Sequence, residues 1–269
     1  MSNLVTNLQA TPYSIESITK MGQFEPFELQ VSRGQIMGHI PVYIFGNSSS
    51  LGSTAYGPLW EGLTASGGAY VYPSVAAKMY VFSSSASDTA IQITINGLDA
   101  NYNILSEVVT TNGTASVQTA NSYFRINSMY ASGAPVGNIS LYSNVGQTGG
   151  TLYAKILAGN LASQASIYTV PAGYTFYKYN LQADANTSAV SSGYNRVRTF
   201  ASPPVPAAVA YQSVFVQSFN QPISFPIAFP EKTDIQWELL ANTGTNTVAN
   251  LYIGGLLVQN DGQALASAL

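Results

Sequence analysis

The sequence predicts an all-β protein, and three features of the 269-residue chain carry that expectation. Short runs of branched and aromatic residues recur along it, either alternating with polar residues or continuous, as strands with one or two covered faces require. Gly, Asn, Ser and Pro punctuate those runs at roughly 8–12-residue intervals, the spacing of sandwiches and jelly rolls. No long segment places apolar residues at i, i+3, i+4 and i+7, so helix should be scarce. The architecture that follows is two tandem antiparallel β-sandwich domains, jelly-roll or immunoglobulin-like, preceded by an extended N-terminal arm.

Residues 1–23 form that arm: they are polar, contain Pro12 and hold no period. The first β-sandwich domain spans 24–145, with a β pattern from Phe27 onward. Its strands are expected at 35–45 (QIMGHIPVYIF), 78–83 (KMYVFS), 90–96 (AIQITIN), 104–110, 123–130 and 138–142. The segment NVGQTGG, residues 144–150, is a strong loop signal and marks the boundary. The second β-sandwich domain, 151–258, follows with strands at 151–157, 165–170, 174–183, 194–200, 212–219, 223–229, 233–241 and 247–258. The run SPPVP, residues 202–206, cannot lie in a central strand because proline donates no ladder hydrogen bond, so it belongs to an edge or a long excursion. Residues 259–269 are a small, polar C-terminal tail.

Composition bears on function. Only 8% of residues are charged although 46% are hydrophobic, against about 25% charged in ordinary globular proteins. A surface of Ser, Thr, Asn, Gln, Gly and Tyr costs little to desolvate, and interfaces enrich Tyr while lacking Lys and Glu. A poorly charged secreted or thermally robust monomer would share this composition, but repeated self-association fits it better. The net charge of −3 is spread singly, with no basic stripe to neutralise a phosphate backbone, so nucleic acid is not an expected partner. No apolar run nears the ~20 residues that span a bilayer, and the first residues lack the pattern of a signal peptide, so no membrane partner and synthesis in a cytoplasm are expected. Cysteine is absent, which removes disulfides and thiolate metal sites.

Chemistry is thinly represented. His39 is the one histidine and sits in a strand-like run, where a bond to a backbone carbonyl suits it better than a role as catalytic base. Serine is abundant, yet no G-x-S-x-G elbow occurs. Glu25 with Glu28, and Asp234 with Glu238, are the close acidic pairs that could serve glycoside hydrolysis if they converged in space. Asp99, Asn101 and Asn103 alternate as in the start of a calcium loop, but Ile104 and Thr110 stand where its glycine and glutamate belong, so a hairpin turn is favoured. Paired glycines suit turns rather than phosphate cradles, and the 18 tyrosines suit core and interface more than sugar platforms. The expectation is therefore a non-enzymatic protein with no catalytic residues, metal or cofactor.

An ordered series of segments carries a resemblance: LWEG (59–62), YVYP (70–73), SSSASDT (83–89), INGLDANYN (95–103) leading into Ser106 and Glu107, NGT (112–114), FRIN (124–127), ILAGN (156–160) and YTVPAG (168–173). Over roughly residues 35–180 the chain resembles a family of virion structural proteins of tailed bacteriophages, particularly of marine bacteria and cyanobacteria. The resemblance implies a part of the virion, synthesised in the host cytoplasm, with no active site to carry over.

Two roles are consistent with it. One is a capsid decoration or cement protein, a homo-oligomer such as a trimer, that holds the major capsid protein or other virion proteins. The other is a tail or fibre component that binds a host receptor or carbohydrate through exposed Tyr and Asn. A carbohydrate-active enzyme needs the acidic pairs to meet. Apolar residues in segments without their own core supply the expected interface: Leu4, Leu8, Tyr13 and Ile18 of the arm, with the loop aromatics Tyr56 and Trp60.

Overall fold

The computed structural model describes residues 25–51, 56–62, 70–145, 149–186, 193–201, 205–215, 218–241 and 247–260. The chain divides into two compact units between Pro41 and Val42.

In the first unit the alternating run FELQVS forms a helix, α1 (Phe27–Ser32), not the strand expected from Phe27 onward. Pro26 explains the difference: at φ −53° it is already set for a helical start, and Glu28 adds a negative charge to the first turn. Six alternating residues are too few to outweigh that start. Glu25 pairs with Arg33 across the helix. The His39 ring meets Phe27 edge-on at 5.9 Å, and its Nδ1 donates to Met37 O at 2.9 Å. His39 thus satisfies the backbone role expected of it.

The strands run in chain order as β1 (His39–Leu51), β2 (Gly57–Pro58), β3 (Tyr80–Ser83), β4 (Gln92–Leu98), β5 (Ile104–Thr110), β6 (Val117–Gln118), β7 (Arg125–Ala131) and β8 (Ile139–Tyr142). They continue as β9 (Leu152–Ile156), β10 (Ile167–Thr169), β11 (Tyr174–Asn186), β12 (Gly193–Ala201), β13 (Val205–Phe215), β14 (Ser218–Phe229), β15 (Thr233–Ala241) and β16 (Thr247–Gln259). The protein is all-β, and among the described residues the pairings with a defined register are antiparallel.

The strands do not sort in tandem. One sheet has the order β1-β16-β11-β14 and a second the order β10-β15-β12-β13, with β2 also on β15. Ile44 of β1 and Leu59 join Phe176, Leu181, Trp237, Leu239, Leu251 and Ile253 in the core between them. The other two sheets, β6-β3-β8-β9 and β5-β4-β7, lie between β2 and β10 in sequence and close on their own core of Val81, Ile93, Ile95, Met129, Ile139 and Leu141. One pair of sheets is therefore inserted in the other. β8 and β9, which flank the NVGQTGG segment expected to separate domains at 145–151, instead pair with each other in one sheet, with Ile139 facing Ile156. A loop signal reports a chain reversal, and hairpins and domain boundaries both need one.

Proline placement agrees with this topology. Pro41, Pro206, and Pro222 with Pro226 fall in β1, β13 and β14, each at an end of its sheet, where proline is tolerated because one edge of the strand makes no ladder bonds. The SPPVP run accordingly leads into an edge strand. The expected strand at 212–219 instead spans the end of β13 and the start of β14.

Candidate functional site

Three places concentrate side chains beyond what the cores require: a buried polar seam, a raised segment of β14 and a groove on the outer face of the β1–β16–β11 sheet.

The seam joins the inserted sheets to β15. Alternation along β15 sends Ile235, Trp237 and Leu239 into the core and leaves Asp234, Gln236 and Glu238 on its other face, also buried. Arg125 of β7 binds Asp234 with two parallel bonds, Nε to Oδ1 at 2.8 Å and Nη2 to Oδ2 at 2.9 Å. Its Nη1 donates to Pro73 O and Phe124 O, and its guanidinium lies 3.9 Å from the Phe124 ring centroid and 4.9 Å from that of Tyr72. Thr169 Oγ1 also donates to Asp234, at 2.6 Å, and the Thr169 backbone exchanges hydrogen bonds with the Asn127 amide. Burial works against the Arg125 charge, but Asp234's hydrogen bonds and charge outweigh it and hold the guanidinium's pKa above its ordinary value. Gly97 allows the approach: a Cβ there would stand 2.2 Å from Arg125 O.

This seam decides the fate of the acidic pairs. Asp234 is committed to Arg125, and Glu238, four residues along the same strand, lies about 13 Å away at the usual strand rise, beyond the separations glycosidases use. Glu25 is held by Arg33. Asp99 spends its carboxylate on its own turn, accepting from Asn101 N at 2.8 Å, Asn103 N at 2.9 Å and Asn103 Nδ2 at 3.0 Å. The hairpin expected there is formed, with Leu98 facing Ile104. Among the described residues no group of three or more His, Cys, Asp or Glu could hold a metal ion, and no helix is long and apolar enough to cross a membrane.

The raised segment arises where the β11–β14 register jumps. Lys178 faces Ile227, but Asn180, two residues on, faces Pro222. Residues 223–226 are left over on the edge strand, and Phe225 among them is 86% exposed. Lys178 and Asn180 face Gly255 and Gly254 of β16 on the other side. A side chain at 255 would strike the Phe176 ring, with a Cβ 2.3 Å from it. Lys178 itself is buried, and burial lowers its pKa to about 8.

The groove is built by alternation. Along β1, Ile44 and Gly46 are buried while Tyr43 and Phe45 are exposed. On β16, Ala249, Leu251 and Ile253 enter the core, which turns Asn250 and Tyr252 outward. The Tyr252 ring is nearly parallel to Tyr43 at 6.5 Å and tilted against Phe45 at 5.1 Å. On β11, Gln182 faces Tyr252 and Asp184 faces Asn250. Asn47 Nδ2 donates to Asn250 Oδ1 at 2.5 Å, and Gln182 Nε2 approaches Asp184 Oδ2 at 3.4 Å. Phe45, Gln164, Gln182, Asp184, Asn250 and Tyr252 line a depression of about 480 Å³.

Of the residues expected at an interface, Leu4, Leu8, Tyr13 and Ile18 lie outside the described residues. Trp60 is not an exposed anchor: it is 6% exposed, packs with Tyr70 and Ile167, and bridges to Ala165. Its neighbours in LWEG gave it no visible core, because Tyr70 and Ile167 reach it from elsewhere in the chain. Tyr56 is partly buried. Sequence reasoning missed the groove, because VYIFG in β1 reads as a continuous apolar run and hides which residues face out. It missed Phe225 because a strand pattern does not show a register jump.

No protein-family model matches the chain, and no curated protein matches it. Among solved structures it is similar, at 12% identity and TM-score 0.18, to the structure of infectious bursal disease virus Gx strain, over 91% of this chain and 78% of the other. The Gt strain structure gives 11% identity and TM-score 0.13 over 91% of this chain and 89% of the other.

Proposed function

We propose that the chain is a non-enzymatic structural protein of a virus particle, present in many copies and acting through surface contacts. The observation that carries this reading is Phe225, raised on an edge strand at 86% exposure in a chain whose charged share is only 8%. Covering a phenylalanine ring is worth about 2–3 kcal/mol, and symmetric repetition multiplies a modest contact into a firm one. Val75, Val108 and Val136 are further exposed apolar side chains. The specific role that fits is capsid decoration in a tailed phage, with copies of the chain bound to one another and to the major capsid protein. In sedimentation of the purified chain, Phe225→Ser should shift the population toward monomer with its thermal transition unchanged. An oligomer untouched by that change would remove Phe225 from the contact. Imaging of the intact particle then places the role: copies over the capsomers fit decoration, and copies confined to the tail exclude it.

A second reading, a tail or fibre component that binds the host surface, is favoured by the groove of Phe45 and Tyr252 with its surrounding amides.

A further inference from the structure

The groove's chemistry narrows what it can hold. Its lining combines the rings of Phe45 and Tyr252 with the side-chain amides of Gln164, Gln182 and Asn250 and the carboxylate of Asp184. An amide presents donors and an acceptor together, so neighbouring amides suit a ligand whose hydroxyl groups both donate and accept. The Asn47–Asn250 bond engages one donor and one acceptor, leaving Asn250 Nδ2 and Asn47 Oδ1 to a further partner. The aromatic rings meet apolar C–H surface, and their positions are fixed by strand pairing rather than by loops.

Charge excludes the commonest competitor. Among the described residues no Lys or Arg lines the groove, while Asp184 does, so a phosphate or sulfate group would enter against that carboxylate. A volume of about 480 Å³ falls within the roughly 300–1,000 Å³ of small-ligand clefts. A ligand with ring C–H faces, many hydroxyls and no negative charge is a neutral sugar.

We infer that the groove formed by Phe45, Gln164, Gln182, Asp184, Asn250 and Tyr252 is a binding site for a neutral oligosaccharide. A sugar ring packs on the Tyr252–Phe45 pair, and Asp184, Gln182 and Asn250 bond its hydroxyls. This deepens the tail or fibre reading and rests on it for access to the host. Binding by the isolated chain is nonetheless independent of where the protein sits in a particle.

The test is titration calorimetry of the full chain with cellohexaose, maltohexaose, chitohexaose and mannohexaose, and with dextran sulfate as an anionic comparison. Saturable binding of at least one neutral hexasaccharide is expected, weakened about ten-fold or more by Tyr252→Ala and also weakened by Asp184→Ala. Phe225→Ser should leave that binding unchanged, which separates the groove from the proposed self-contact. Phe45→Ser, at an exposed strand position, serves as the second groove variant should Tyr252→Ala fail to fold. Three results would each overturn the inference: no saturable binding of any of the four sugars, binding indifferent to the groove variants, or preference for dextran sulfate. Loss of self-association in the groove variants without an effect of sugar would assign the groove to a second copy of the chain instead.

Discussion

The inserted sheets and the sheets that enclose them are made from the same uncharged vocabulary, yet they use it differently. The inserted strands are seven residues long or fewer, and their turns are fastened by short polar side chains. Asp88 is a compact case: buried, it accepts from Ser83 Oγ and from the backbone N–H groups of Val136 and Gly137. Burial alone would raise its pKa, but those three bonds overcome it and hold the carboxyl below its ordinary range. The enclosing sheets contain strands of up to thirteen residues. They carry register jumps, a buried lysine whose only pKa influence is desolvation, and an extruded phenylalanine. The inserted sheets fasten Asp88 and Asp99 within their own turns, whereas the enclosing sheets bury Lys178 and expose Phe225.

Arg125 belongs to both regions, so breaking it should have the largest effect. Arg125→Met leaves Asp234 buried without its cation and should cost about 3–5 kcal/mol in urea unfolding. Arg125→Met with Asp234→Leu should recover much of that loss, because the stranded charge is gone as well. A double variant no more stable than the single one would mean that the seam's geometry, and not its charge, joins the regions.

Lys178 tests the enclosing sheets from the opposite side. Its pKa is lowered by burial from 10.5 to about 8, so at pH 7 the folded protein carries a charge it would rather not hold. The penalty is full below pH 8 and fades as pH rises toward the unfolded value, because the unfolded chain then loses its advantage in binding the proton. Lys178→Met should stabilise the protein by roughly 3 kcal/mol at pH 7, with the gain disappearing near pH 10.5. A gain that is constant with pH would point to packing instead of charge.

The smallest effect is expected inside the inserted sheets. Asp99→Ala removes three acceptor bonds from an exposed turn and should cost about 1 kcal/mol, with faster amide exchange confined to the β4–β5 hairpin. Spread of that exchange into β15 would mean that the hairpin opens together with the enclosing sheets and not by itself.

Much of the local structure was legible in the sequence. Ile104–Thr110 and Thr233–Ala241 fall where alternation put them, because a strand's period is a property of its own residues. The nested topology was not legible, since β1 finds β16 across some two hundred residues and nothing in either strand announces the other. The segments FRIN, YVYP and YTVPAG each looked like an isolated turn or strand end. In space they contribute Arg125, Asn127, Pro73, Tyr72 and Thr169 to the seam. The groove's rings lie on strands whose outward face becomes evident only after the inward one has been filled.

The pairing of β1 with β16 also sets an order of events during synthesis. Residues 80–156 contain every strand of the inserted sheets, so that module can close while translation is still in progress. The β1–β16–β11 sheet must wait until residue 259 has left the ribosome, and until then β1 is an unpaired apolar edge. A chain cut short in its second half would therefore display a finished inner module beside an open ladder. The outer sheet is complete only once β16 has been made and paired with β1 and β11.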